Sequence, residues 1–436
     1  MRRSFLVLAL LSGTLAPIST QAAEPLGAAL DRLAREVEPK VVAWRRDFHQ
    51  HPELSNREAR TAKIVADHLS ALGWDVRTGV AHHGVVAVLV GGKPGPVVAL
   101  RADMDALPVT EEVDLPFASK VKAEHGGQSV GVMHACGHDA HTAILMGVAE
   151  VLARVKAELP GTVKLIFQPA EEGPPTGEQG GALMMVAEGA LDAPRPAAIF
   201  GLHVVPMAET GEIAYRAGGQ LASSDRLRIV VKGRQAHGGM PWDGIDPVVA
   251  AAQIINALQA IPARQVNQLK GPAVVTIGSI HGGVRNNIVP ELVEMWGTLR
   301  SFDTGTREEL HARVKRTAES VAAATGATAE VTIDQGNPVT YNDPELTRRM
   351  APTLARVAGP GKVWETLPVT WAEDFSVYQQ QVPGLFVFLG IRRPGQKVED
   401  AAPNHSPRFY VDENALPLGV RTLAHLAVDF LAGEGR

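Results

Sequence analysis

Hydrophobic positions recur with a helical period at the start of the chain. Between residues 26 and 48, apolar side chains return at steps of three and four, which predicts an amphipathic helix that Pro39 should kink or divide. A second helix is predicted to follow. Ser55 and Glu58 have the spacing of a capping box, and the helix would then run to about Leu72.

Further along, the apolar residues form short β-branched runs bounded by glycine or proline. These runs lie at 85–90, 97–100, 163–167 and 197–202. Runs that are almost wholly apolar predict strands buried on both faces, as in a parallel sheet covered by helices. The fold class indicated is therefore α/β, with a largely parallel central sheet flanked by helices.

Several of these strands lead directly into side chains that can take part in chemistry. The run at 97–100 leads into Asp103 and Asp105, the run at 163–167 into Glu171 and Glu172, and the run at 197–202 ends at His203. In open α/β sheets, ligands bind in the crevice outside the carboxyl ends of the strands. We therefore expect these side chains to converge.

The pattern changes after Ser223 and returns after about residue 333. In chain order it predicts a strand at 226–231, a helix at 246–261, strands at 273–280 and 292–299, a helix at 306–324 and a strand at 327–333. This β-α-β-β-α-β order is ferredoxin-like. We expect an α/β domain, 23–218 and 334–436, that carries an inserted α+β domain, 219–333.

Length and charge restrict the possible classes of protein. At 436 residues and 45% hydrophobic content, the chain exceeds what one core usually supports, which agrees with two domains. The formal charge is −5, and losing Arg2 and Arg3 with a leader would make it −7. An acidic chain without a basic run argues against nucleic acid or an anionic membrane as partner.

The first 22 residues have the pattern of a signal peptide. Arg2 and Arg3 precede an apolar run at 5–11, and Thr20-Gln21-Ala22 is a small-x-small cleavage site. The apolar run is too short to span a bilayer, and we expect no membrane span in the mature chain. The pattern therefore predicts export, with a periplasmic or secreted mature protein that begins at Ala23.

The stretch 133–141 is the strongest chemical signal in the sequence. It holds the only cysteine, Cys136, together with three of the fifteen histidines. A thiolate two positions from the imidazole of His138 suits zinc or a neighbouring first-row metal. The alternative is a buried core cysteine beside capping histidines. A metal site needs further ligands from elsewhere, and in an oxidising compartment this single cysteine must be protected by burial or metal.

Ordered matches along the chain resemble those of a known family. They are 101–108, 133–141, 168–173, 201–203, 236–238, 246–248, 278–283, 373–375 and 404–406. The chain resembles the dimetal peptidases of metallopeptidase family twenty, the aminoacylase and carboxypeptidase type. Within them it is similar to the amidohydrolase subfamily of hippurate hydrolases, N-acyl-amino-acid deacylases and auxin-conjugate hydrolases.

The resemblance implies a centre of two divalent metal ions: Zn, Mn, Co or Ni. Cys136 would bridge the ions, with His138 and His203 on one ion and Glu172 and His405 on the other. Two such ions, ~3.5 to 4 Å apart, can polarise an amide carbonyl and acidify a shared water.

The resemblance also implies roles for acidic residues around the metals. Glu171 would be the general base. Asp105 would hold a ligating imidazole in one tautomer, and we expect a structural role for Asp103.

The resemblance also assigns a role to the inserted domain, which would act as a lid and as the contact of a homodimer. His237 would stabilise the developing oxyanion when the lid closes, and Asn287 would contact the substrate. Arg285 could pair with a substrate carboxylate. The segment 174–180 is longer than the usual glycine loop at this place.

The function expected from these residues is hydrolysis of the amide bond of N-acyl amino acids, aromatic or aliphatic, releasing a carboxylic acid and a free amino acid. An alternative is a metallo-carboxypeptidase or dipeptidase acting on short peptides. Two further alternatives are a non-catalytic protein that binds peptide or metal and a cysteine hydrolase that uses Cys136 with a histidine base.

Overall fold

The structure, a computed structural model, describes residues 24–433. The predicted signal peptide, residues 1–22, lies outside the described residues.

The α-helices of the described chain alternate with strands for most of its length. They are α1 (Leu26–Gln50), α2 (Ala59–Ala71), α3 (His138–Arg154), α4 (Gly181–Ala187), α5 (Pro247–Arg264), α6 (Thr304–Ala324), α7 (Pro344–Ala358), α8 (Phe375–Gln379) and α9 (Leu416–Ala432).

The strands before the inserted segment are β1 (Asp75–Val80), β2 (Gly84–Val90), β3 (Lys93–Asp103), β4 (Lys122–His125), β5 (Gln128–Gly131), β6 (Pro160–Gln168), β7 (Ala198–Glu209), β8 (Ile213–Tyr215) and β9 (Gly218–Leu221). Those that follow are β10 (Asp225–Lys232), β11 (Ala236–His237), β12 (Ala273–Gly282), β13 (Ile288–Val289), β14 (Leu292–Ser301), β15 (Thr328–Gln335), β16 (Thr340–Asn342), β17 (Val363–Glu365) and β18 (Gly384–Arg392).

The central sheet has eight strands in the order β1-β2-β6-β3-β7-β18-β8-β17. Its middle strands, β6, β3, β7 and β18, are mutually parallel, whereas β1, β2 and β8 join by antiparallel pairing. The parallel strands are the near-continuous apolar runs of the sequence, because helices cover them on both faces. The predicted α/β class with a largely parallel central sheet is confirmed.

Successive residues of the central strands enter different cores. Val98 and Leu100 of β3 join the core beneath α1, α3, α7 and α9, whereas Ala99 between them joins the core beneath α4 and α8. This follows from the two-residue period of a strand. Helix α3 lies so deep that residues His138 to Leu152 are all buried, including its polar ones.

The inserted segment forms a separate antiparallel sheet in the order β12-β14-β10-β15, with α5 and α6 packed on it. In chain order, the first to fourth strands of this sheet are β10, β12, β14 and β15. Their spatial order is therefore 2-3-1-4, which is that of a ferredoxin-like fold. The chain leaves and re-enters the larger domain through the paired strands β9 and β16. The domain boundaries at 219 and 333 stay a prediction.

Two local predictions are wrong, and a third is wrong in part. Pro39 does not divide α1, which continues through it, whereas the alternative of a kink stays a prediction. Helix α2 has no capping box, because Glu53 caps it by accepting from the amides of Arg60 and Thr61 at 2.9 and 2.8 Å. Strand β7 does not end at His203 but continues to Glu209, since its pairing with β18 extends past that residue.

One helical stretch of the described residues, Glu413–Ala432, has the length and apolar composition to cross a membrane. In the fold, 83% of the most apolar part of this stretch is buried inside the protein. Its apolar character therefore agrees with its place in the core beneath the central sheet, where α9 packs against α1 and α3.

Candidate metal centre

The polar residues predicted to converge do so at the carboxyl ends of the parallel strands. Asp103 at the end of β3 lies opposite Gln168 at the end of β6, and His203 lies beside them in β7. The connections that follow these strands carry Asp105 and the pair Glu171 and Glu172. Parallel pairing therefore brings together side chains that are far apart in sequence.

Two groups of candidate ligands share one cysteine. Cys136, His138 and His203 form the first group, and Cys136, Glu172 and His405 form the second. Within each group the donor atoms lie within 4.8 Å of one another. Four side chains, His138, Glu172, His203 and His405, thus lie around the Cys136 sulfur, and their roles as ligands stay a prediction.

Cys136 lies in the tight turn that begins α3. The next residue, Gly137, has a φ of 95°, and an added Cβ there would come within 2.3 Å of the Val204 side chain. The turn therefore requires glycine on two counts. Burial raises the pKa of the Cys136 thiol, and the nearby Glu172 carboxylate adds to this effect. A cation is what would favour its thiolate form.

The carboxylate of Asp105 orients His138. The Nδ1 atom of His138 lies 3.2 Å from Asp105 Oδ1, and the other Asp105 oxygen accepts from Ser55 Oγ at 2.8 Å. Because a carboxylate can only accept, Nδ1 carries a proton. Burial lowers the pKa of His138, but the carboxylates of Asp103 and Asp105 outweigh it and raise the pKa well above its usual value, so a metal ion would bind at Nε2 in place of a second proton. That Nε2 atom is buried without a hydrogen-bond partner among the described residues, as a metal-ligating nitrogen would be.

His203 is fixed in the matching tautomer. Its Nδ1 atom donates to the carbonyl of Val204 at 2.8 Å, which leaves the Nε2 lone pair 3.4 Å from the Cys136 sulfur. Burial lowers the pKa of His203 well below its usual value, and the neighbouring His141 lowers it further. A neutral imidazole with a free lone pair is the form that binds metal.

Both carboxylate oxygens of Asp103 accept hydrogen bonds from neighbouring side chains. Its Oδ1 atom accepts from His141 Nδ1 at 2.6 Å, and its Oδ2 atom accepts from Arg101 at 2.6 Å. The other nitrogen of His141 accepts from the backbone amide of Val204 at 2.9 Å. Asp103 and His141 thus hold the strand at the residue next to His203.

His405 approaches from a loop near the end of the chain. Its Nε2 atom lies 3.0 Å from Glu172 Oε1, and its backbone amide donates to the carbonyl of Ala135 at 2.8 Å. His405 has a φ of 69°. A residue other than glycine in this region costs about 1 to 3 kcal/mol, and such strain is concentrated at functional sites. The neighbouring Asn404 donates to the Cys136 carbonyl at 3.1 Å.

Glu171 faces the same centre but is held less tightly than the ligands. Its Oε2 atom lies 3.9 Å from His138 Nε2, and its Oε1 atom accepts only a long bond, 3.4 Å, from the Asp374 amide. Burial raises the pKa of Glu171 well above its usual value, and the carboxylates of Glu373 and Glu172 raise it further. A carboxyl with a raised pKa is suited to proton transfer.

Behind the centre, the buried guanidinium of Arg101 binds several acids. It contacts Asp103, Glu373 at 3.0 Å and Asp374 at 2.8 Å, while its Nε atom donates to Gln168 at 2.9 Å. We did not predict this network. Arg101 itself could have been suspected, because it is a charge within an apolar strand, but nothing in the sequence pairs it with residues 373 and 374.

The donor set fits a pair of divalent cations. One sulfur, two imidazoles whose second nitrogens are engaged, and a carboxylate with an adjacent histidine are the ligands that such ions take in proteins. A buried, unpartnered His138 Nε2 supports the same conclusion.

A cavity of about 540 Å³ opens on the centre, and we call it the lid-side cavity. Its lining includes Cys136, Glu171, Glu172, His203, Arg300 and Trp371. Arg300 belongs to β14 of the lid and makes no salt bridge with any residue in 24–433. This cationic lining residue was missed, because in sequence it is simply a polar position of a half-exposed strand.

The three lid residues with predicted substrate roles lie together but outside this cavity. His237 pairs with Ile288 across β11 and β13, and the amide of Gly238 donates to the carbonyl of Asn287 at 2.8 Å. Arg285 lines a separate surface cavity beside Val284. In this conformation of residues 24–433, none of the three lines the lid-side cavity, so their assigned roles stay predictions.

Known proteins share this architecture. A thermostable carboxypeptidase of Saccharolobus solfataricus is 42% identical over 398 residues, which are 91% of this chain and 96% of that protein. An N-acetylcysteine deacetylase of Bacillus subtilis is 38% identical over 390 residues, 89% of this chain and 96% of that protein.

A solved structure, the YXEP protein of Bacillus subtilis, is described as a dinuclear metal binding peptidase from the M20 family. It is 36% identical with a TM-score of 0.77, and the match covers 91% of this chain and 99% of that one. Residues 99–429 match Peptidase family M20/M25/M40. The chain therefore belongs to Peptidase family M20/M25/M40, as a hydrolase of amide or peptide bonds that uses two divalent metal ions.

Proposed function

We propose that this protein hydrolyses the amide bond of N-acyl amino acids and releases a carboxylic acid and a free amino acid. The observation that carries the proposal is the pair of ligand groups sharing Cys136, with Glu171 beside them and an unpaired Arg300 in the same cavity. The similarity to a protein named as an N-acetylcysteine deacetylase supports this substrate class.

The centre itself accounts for the chemistry of cleavage. When bound, the two metal ions polarise the scissile carbonyl and acidify a water. Glu171 accepts the proton of the attacking water at a carboxylate oxygen and passes it to the departing amine nitrogen. Asp105 contributes indirectly, by keeping His138 in one tautomer and ring orientation.

Arg300 is suited to the free carboxylate of the amino acid. Arg300 lines the lid-side cavity and makes no salt bridge among residues 24–433, and a carboxylate fits a guanidinium through two parallel hydrogen bonds. This assigns to Arg300 the role that the sequence had suggested for Arg285.

A second candidate function is cleavage of short peptides with a free C-terminus, as in a carboxypeptidase or dipeptidase. The 42% identity to a protein named as a carboxypeptidase favours it. Both substrate classes carry a free carboxylate for Arg300, so rates on hippurate, acetyl amino acids and dipeptides must separate them. A cysteine hydrolase is disfavoured, because reactive thiols have a lowered pKa and burial raises that of Cys136.

Replacing the general base should separate turnover from metal binding. We expect Glu171→Gln to lower kcat by about 10²- to 10⁴-fold while two equivalents of metal stay bound, because the ligands are unchanged. Steady-state rates and metal analysis of the same preparation measure both effects, and chelation should abolish wild-type activity. Glu158→Gln, on the exposed surface, is the matched control. Full turnover by Glu171→Gln would refute the base assignment.

Replacing each arginine tests where the substrate carboxylate binds. We expect Arg300→Met to lower kcat/KM for an N-acyl amino acid by about 10- to 100-fold, since a hydrogen bond to a charged group is lost. The corresponding N-acyl amino acid amide should be affected much less. Arg285→Met is the matched comparison, and an equal or larger loss in that variant would return the role to Arg285.

His237 is proposed to reach the substrate carbonyl when the lid closes. We expect His237→Ala to lower kcat by about 10²- to 10³-fold with a smaller change in KM, because a donor to the developing oxyanion is removed. The control is His281→Ala, another exposed histidine of the lid. An unchanged kcat would exclude His237 from the reaction.

We also propose that the mature protein is an exported homodimer. Strand β12 supports lid-mediated pairing, because it is an open edge of the lid sheet, and its Ile280 is 46% exposed. Expression of the full chain, followed by N-terminal sequencing and light scattering, should find a chain beginning at Ala23 with twice the monomer mass. A retained Met1 would contradict export, and a monomeric mass would contradict dimerisation.

A further inference from the structure

A second cavity borders the metal centre on the side of Glu172 away from the lid. It has a volume of about 530 Å³, and we call it the outer cavity. Its walls include Leu54, Leu107, Pro108, Pro174 and Pro175. Glu172 is the one residue that lines both cavities, so the candidate metal ligand stands where they meet.

The two cavities differ in charge. In the outer cavity, Arg57 is neutralised by Glu178, whose oxygen lies 2.6 Å from the guanidinium, and Glu124 adds a negative charge. The lid-side cavity contains Arg300, which has no such partner within 24–433, and its acidic lining residues, Glu171, Glu172 and Glu373, lie together at the metal centre. A carboxylate is therefore favoured on the lid side and disfavoured in the outer cavity.

We propose that the outer cavity binds the acyl group of the substrate, and that it selects medium-length aliphatic or aromatic acyl groups. This inference rests on the proposed function. An amide bond at the metal centre has two arms, and the carboxylate on one arm directs it to Arg300. The uncharged arm then extends past Glu172 between the apolar side chains of the outer cavity.

The long segment 174–180 has a role in this arrangement, because its residues 174–176 form one wall of the outer cavity. Glu178 fastens it to the opposite wall: its carboxylate accepts from Asn56 Nδ2 and Arg57 at 3.0 Å, and Asn56 also donates to the Gln179 carbonyl at 2.9 Å. The length of this segment thereby determines the size of the acyl group.

The test compares a series of N-acyl derivatives of one amino acid, from acetyl to octanoyl and benzoyl, on the metal-loaded wild-type protein. Burying one methylene should raise kcat/KM about 3- to 4-fold for each step until the cavity is filled. Leu54→Trp narrows the outer cavity, and the octanoyl-to-acetyl ratio of kcat/KM should fall at least 10-fold. Leu183→Trp is the control, since Leu183 is 71% exposed on α4 and lines neither cavity.

A second variant covers the case in which Leu54→Trp does not fold. Glu178→Gln loosens the segment 174–180 and should reduce the same ratio about 3- to 10-fold. Unchanged ratios in the folded variants, with N-acyl turnover intact, would overturn the assignment of the outer cavity alone. Absence of turnover on every N-acyl amino acid by the metal-loaded wild type would overturn the proposed function and the cavity assignment with it.

Discussion

The structure depends on how it balances negative charge that it has buried. Six carboxylates converge at the ends of the central strands: Asp103, Asp105, Glu171, Glu172, Glu373 and Asp374. Unpaired charges are costly away from water, so such a group needs cations. Arg101 supplies one positive charge at the back of the group, where its guanidinium contacts three of the acids. The front of the group faces the candidate ligands, where two bound divalent ions would offset most of the remaining negative charge.

The parallel sheet makes this concentration of charge possible. Strands β3, β6 and β7 all point the same way, so the segments that follow them meet at one edge. The remaining donors arrive through backbone geometry that a free chain rarely adopts: the turn at Gly137 and the positive φ of Ala170 and His405. Packing of the deeply buried α3 and of the strands around it holds these conformations in place. A stable core thus fixes the positions of the candidate ligands.

Much of the fold could be predicted from local pattern, because buried strands and the elements of the ferredoxin-like domain each have a recognisable spacing of apolar residues in the sequence. The errors came where tertiary contacts override local preference. Pro39 is accommodated within α1, and a glutamate from outside the predicted capping box caps α2. Of the site, the ligand stretch around Cys136 could be identified, since its chemistry is compact in sequence. The pairing of Arg101 with Asp374 spans 273 positions and has no periodic signal. Similarly, only the fold distinguishes Arg300, which lines the cavity, from Arg285, which does not.

Glu172 lies between the part of the site that serves catalysis and the part that serves selectivity. Catalysis requires the scissile bond to lie at the metal centre, where buried contacts fix the positions of the side chains and tolerate little change. Selectivity requires walls that can vary, and on the outer side two of these are surface segments: residues 174–176 and the β4–β5 hairpin. The inner part of the wall is fixed, because Ser55 donates to Asp105 and Ala106 is buried. With the acyl group placed in the outer cavity, as we propose, selectivity can change through the two surface segments while the contact between Ser55 and Asp105, and with it the orientation of His138, is kept.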